Sequence, residues 1–154
     1  MMTSLTLEDR IAKGEAYFKS GYNCAQSVVL SFSDIVKVDG KILENVSAPF
    51  GGGIGRMREV CGTISGMVII LGLVRNYDCS DNRQKLTLYA EEQELAERFK
   101  TMHGSIICRE LLDMASEKHE DPHMNNTHKH SCVQFVRNAI EILGTYFKEK
   151  GIDL

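Results

Sequence analysis

The chain has no basic excess, no long apolar run and no strand-like alternation, and each absence removes a class of protein. With 18 Lys and Arg against 21 Asp and Glu, the formal net charge is −3. Without a broad positive field, nucleic acid and acidic membrane surfaces are excluded as electrostatic partners. The longest apolar run, Met67 to Leu73, is far short of the ~20 residues that span a bilayer. The N-terminal MMTSLTLEDRIAKGEAYF has no basic start followed by an apolar stretch. A cytoplasmic protein without membrane insertion is expected. The only β-branched run, Val68 to Ile70, continues a helical stretch, so the expected fold is all-α. There is no internal repeat, no C-x-x-C, no G-K-[ST] and no Ser-His-Asp arrangement.

What is present is a single domain's worth of chain, residues 1–154, long enough to bury a core without relying on disulfides or metal. Its organising stretch is Phe50 to Leu73, in which a glycine-rich loop with two arginines runs into an apolar helix. Gly51, Gly52, Gly53 and Gly55 allow positive φ and close approach of the backbone to other groups. From Val60 the sequence is apolar on nearly every side, which predicts a buried central helix over about 60–75 with other helices around it. Gly62 and Gly66 share one face, where a neighbouring helix can come near Cys61.

The remaining helices follow from caps and periodicity. Thr6 with Asp9 opens a helix over Leu7 to Ser20, and Asn23 with Gln26 opens one whose apolar face runs from Ala25 to Val36. A short helix is expected over Lys41 to Val46, after the Asp39-Gly40 turn. A long one is expected over Arg83 to Met102, with Leu88, Leu95, Phe99 and Met102 inward and Glu91, Glu92, Glu94 and Glu97 facing water. Ser105 can cap a helix through Leu111, Leu112 and Met114. Glu117 to His130 is polar and reads as a loop, after which the Ser131-x-x-Gln134 box opens the last helix.

The chemical signal lies in the five cysteines. Cys24, Cys61, Cys108 and Cys132 each fall at or just inside a predicted helix start, whereas Cys79 falls in the polar linker 76–82. A helix start offers unpaired N–H groups and the positive end of the dipole, which favour the thiolate that attacks disulfides and binds metals. If the four starts converge, Arg56 and Arg58 beside Cys61 add positive charge. The set then suits two thiol–disulfide pairs, or four thiolates on zinc or an iron–sulfur cluster. The alternative is four small buried side chains that happen to begin helices.

Asn23-Cys24-Ala25-Gln26, the run from Phe50 through Gly53 to Arg56, Cys61-Gly62-x-x-x-Gly66, Cys108 before Glu110-Leu111, and Cys132 together resemble the C_GCAxxG_C_C family of redox-active proteins. The likeness spans roughly Gly21 to Leu143. It implies a small cysteine-rich protein whose four characteristic cysteines match Cys24, Cys61, Cys108 and Cys132, with Cys79 the extra one. It also implies a domain that occurs in a larger haem-containing cytochrome, with which an iron–sulfur centre is associated. Thr63 departs from the alanine usual after Cys61-Gly62.

Other candidate sites are less developed. His119, His123, His128 and His130 could supply zinc or nickel ligands, and His130 is near enough to Cys132 to serve as its base or as a ligand. The glycine loop lacks a nucleotide fingerprint, yet Gly52, Gly53 and Arg56 could hold an anion. The leading expectation is a thiol-based redox protein with Cys61 attacking and Cys24, Cys108 or Cys132 resolving, acting on a redox partner or a small thiol or disulfide. The second is a metal-binding or electron-transfer protein, and the third a helical bundle with inert cysteines. The residues name no substrate.

Overall fold

The computed structural model describes residues 5–118 and 126–154, the side chains of 116–118 and 126–130 excepted. Among the described residues the fold is all-α, with α1 (Leu7–Lys19), α2 (Cys24–Leu30), α3 (Gly40–Ser47), α4 (Gly62–Arg75), α5 (Asn82–His103), α6 (Cys108–Lys118) and α7 (Asn126–Glu149). A single 3₁₀ turn, Ala48–Phe50, leads into the glycine loop. None of these helices is long and apolar enough to cross a membrane.

Local chemistry sets most of the boundaries. Thr6 Oγ1 accepts from the Asp9 N–H at 3.0 Å and the Asp9 carboxylate accepts from the Thr6 N–H at 3.2 Å, closing the capping box of α1. Asn23 and Gln26 close the same box on α2 at 2.9 and 3.1 Å. Asp39 caps α3, Asn76 ends α4 in the left-handed region, and Gly104 ends α5 there too.

Helix α4 begins at Gly62 and not at Val60, because Val60 pairs with Ile107 in an isolated antiparallel bridge. Most of it is enclosed, with Thr63, Ile64, Met67, Ile70 and Leu71 buried, while Leu73 near its end is 39% exposed. The post is therefore wrapped at the end that carries Cys61. Helices α2, α5 and α7 pack on it, and Phe32, Phe99, Ile140, Leu143 and Phe147 fill the core between them.

Several expectations are corrected. Helix α2 ends at Leu30, although Phe32 and Val36 beyond it remain buried. Glu91 does not face water: it is buried, with its carboxylate accepting from Arg75, Tyr77 and Tyr146. Met102, expected inward, is 50% exposed. Helix α6 runs to Lys118 and α7 starts at Asn126, so the polar interval is shorter than expected and the Ser131-x-x-Gln134 pattern lies inside a helix. His119 and His123 fall outside the described residues, and so do the side chains of His128 and His130. The sequence reading also passed over Arg10. It is fully buried, paired through two hydrogen bonds with Asp34 at 2.6 and 2.9 Å and bonded to the Ser31 carbonyl at 3.1 Å.

Candidate functional site

The site begins with an unusual loop. Gly52, Gly53, Ile54, Gly55 and Arg56 all have φ between 55° and 72°, and Arg58 follows at 62°. This run coils the chain left-handed, closed by N–H bonds from Gly55 to the Pro49 carbonyl (2.9 Å), from Arg58 to Gly52 (3.2 Å) and from Glu59 to Gly53 (3.1 Å). Such a conformation costs an L-residue roughly 1–2 kcal/mol, so Ile54, Arg56 and Arg58 are held there by their surroundings. Glycine is required at position 53, where a Cβ would lie 2.7 Å from the Glu59 nitrogen and 2.8 Å from Cys108 Cβ.

The loop leads into a short backbone pairing that joins two helix starts. Cys61 N–H donates to the Ile106 carbonyl at 2.8 Å, Cys108 N–H to Glu59 at 2.6 Å and Arg109 N–H to Arg58 at 3.2 Å. Cys61, the N-cap of α4, is thereby held beside Cys108, the first residue of α6. Helix α2 approaches from the other side, so closely that a Cβ on Gly62 would lie 2.5 Å from Cys24 Sγ. Cys132 reaches the same place from the second turn of α7, not from a helix start as expected. All four sulfur-bearing residues line one cavity of about 380 Å³, walled by Phe18, Leu111 and Phe135 and edged by Arg56 and Arg58. Cys79 is exposed and outside it.

Burial is the largest influence on three of the four thiols. The Cys61 thiol is pushed up to about 12 by burial and then by the nearness of Cys24, although the Thr63 hydroxyl, 3.1 Å from its sulfur, and the Thr63 N–H favour the thiolate. Cys132 is also pushed up to about 12, by burial and by Cys24 and Cys108, with Arg58 acting in the opposite sense. Cys24 is raised by burial against the N–H groups of Gly52 and Ala25. The nearness of other sulfurs thus adds to burial in holding the Cys24, Cys61 and Cys132 thiols protonated. Arg58, expected to serve Cys61, instead places Nη1 3.8 Å from Cys108 Sγ.

The anion-binding candidates are brought together in part. Gly52 and Arg56 line the cavity with Arg58, whereas Gly53 is buried beneath the loop. Among the described residues no group of three or more His, Cys, Asp or Glu side chains is arranged to hold a metal ion. The sequence reading missed two site features: the Arg58–Cys108 contact, and Thr63 as the hydrogen-bonding partner of Cys61. The second was signalled by the departure from alanine at that position.

These features define, among the described residues, an all-helical fold with a four-cysteine cavity. Residues 22–146 match the family model described as "Putative redox-active protein (C_GCAxxG_C_C)", and the chain belongs to that family. No curated protein and no solved structure matches it.

Proposed function

We propose that the protein carries out thiol–disulfide exchange in this cavity, as one cysteine-rich helical domain acting where thiols are kept reduced. The reading is carried by one observation: four cysteines line a common cavity, and a guanidinium sits 3.8 Å from one of the sulfurs. Cys108 is the attacking group, because Arg58 is the cation placed to stabilise its negative charge as its proton leaves to solvent. Cys61, with its thiol at about 12 and no arginine against it, is better suited to the second pair.

The Cys108 thiolate attacks a disulfide R–S–S–R, forming a Cys108–S–R mixed disulfide and releasing R–S⁻, which takes a proton from water. Cys24 or Cys132, each coupled to Cys108, then loses its proton and attacks the Cys108 sulfur. An internal disulfide forms and the second R–S⁻ leaves. Two electrons pass from the protein to the substrate, which becomes two R–SH, and a dithiol reductant returns the protein to its starting state.

The test is free-thiol titration of the native protein before and after a mild disulfide oxidant, with metal analysis of anaerobically purified material. Loss of two or four native-state thiols, suppressed by Cys108→Ser, is expected. Cysteines that react only on unfolding would make them core filler, and stoichiometric bound metal that shields the thiols would transfer the site to metal binding.

A further inference from the structure

The cavity has a sign as well as sulfurs. Among the described residues its lining contains no Asp or Glu, and the charged side chains there are Arg56 and Arg58. Glu59, next to Arg58 in the chain, is not among the lining residues; it is exposed and engaged by Arg109 at 2.8 Å. Arg58 is held against Cys108, while the guanidinium of Arg56 makes no hydrogen bond or ion pair with any described residue. With Cys61 and Cys132 protonated near neutral pH, two positive charges face a partly apolar chamber in a protein of net charge −3. Low-dielectric walls strengthen that local field relative to open solvent.

We infer that the substrate is a small anionic disulfide, one whose carboxylate, sulfonate or phosphate group is held by Arg56 and Arg58 while its sulfur meets Cys108. This rests on the exchange reading above and deepens it by naming the charge of the substrate. The volume of about 380 Å³ suits one half of a low-molecular-weight disulfide and is too small for a folded protein to enter. Arg58 joins the two requirements, since the cation next to the attacking sulfur is also the one a substrate acid group a few bonds from its disulfide would reach. The Arg56 guanidinium, with no hydrogen-bonding partner among the described residues, supplies the second contact. The bonds made and broken are those of the exchange already written, and the arginines change only binding and orientation.

The experiment is single-turnover oxidation of the fully reduced protein by three disulfides: oxidised glutathione (anionic), 2-hydroxyethyl disulfide (neutral) and cystamine (cationic). Each rate is divided by that of the same disulfide with a small free thiol, which removes intrinsic reactivity. The anionic compound is expected to lead the neutral one by roughly tenfold or more, and the cationic one to trail. Arg56→Gln with Arg58→Gln should bring the anionic-to-neutral ratio close to one. Should that double variant fail to fold, added salt on the native protein gives the same answer, slowing the anionic disulfide selectively. Equal normalised rates for all three disulfides would overturn the charge assignment while leaving exchange intact. No reaction with any of them would overturn the exchange reading itself.

Discussion

The sulfur of Cys24 occupies the space that a side chain on Gly62 would need: a Cβ there would lie 2.5 Å from it. Gly62→Ala must therefore move either the sulfur or the α2–α4 contact, where a Cβ on Gly66 would also be close, 2.9 Å from Val28 Cβ and 3.0 Å from the Ala25 carbonyl. Overpacking of this kind costs about 1–3 kcal/mol. Urea unfolding should show that loss, and Cys24 should become more reactive toward alkylating agents. An unchanged midpoint with unchanged reactivity would mean that the contact is slack.

Alkali should weaken the reduced protein through its buried thiols. Cys61 and Cys132 have folded values of about 12 against an ordinary value near 9.0. Below that ordinary value both states are protonated and the advantage of burial is complete. As pH rises past it the unfolded chain ionises first and binds fewer protons, so stability falls until the folded thiols titrate as well. Denaturation midpoints between pH 8 and pH 11 should decline less steeply in Cys61→Ser than in the parent. Parallel declines would show that this thiol does not contribute.

Asp34 neutralises a guanidinium that has no access to solvent. Asp34→Asn leaves Arg10 charged in the core with the Ser31 carbonyl and the Phe32 ring, 5.2 Å away, as its remaining partners. A loss of about 3 kcal/mol is expected, at the low end for a broken buried pair because Asp34 itself is 36% exposed. Its carboxyl is held below the ordinary range, first by the Arg10 hydrogen bonds. The pair's contribution is thus present above that range and lost on acidification. Thermal melts of parent and variant at neutral pH and at low pH check both statements, which fail if the two differ equally at each.

Ile54 carries a β-branched side chain at φ 65° and is 37% exposed. Little packing compensates for the strained backbone. Ile54→Gly should therefore stabilise the fold by about 1 kcal/mol, the relieved left-handed strain outweighing the extra chain entropy of glycine. A destabilised variant would show that the Ile54 side chain holds the loop in place.

How much of this could be read from the chain depends on the distance between partners. The caps at Thr6 and Asn23 were legible because both members of each bond lie within three residues. The Gly62 and Gly66 face was legible because helical geometry alone places them together. Glu91 was misread because its partners Tyr77, Arg75 and Tyr146 are 14, 16 and 55 residues away. Arg58 was assigned to its sequence neighbour Cys61, while the sulfur it meets is 50 residues distant. The start of α7 was set too late because Asn126 to His130 is polar and shows no apolar period, although polar residues still propagate a helix. The family likeness identified the four sulfurs, but a single bridge between Val60 and Ile107 is too short to leave any alternation in the sequence.

That bridge has an evolutionary consequence. Main-chain bonds at 58–61 and 106–109 hold two of the sulfurs in step, so their spacing does not depend on which side chains flank them. Apart from Arg58, which meets the Cys108 sulfur, residue identity along both lead-ins matters little to that spacing, whereas adding or deleting one residue in either would throw Cys61 and Cys108 out of phase. Length, more than composition, is what selection must guard there.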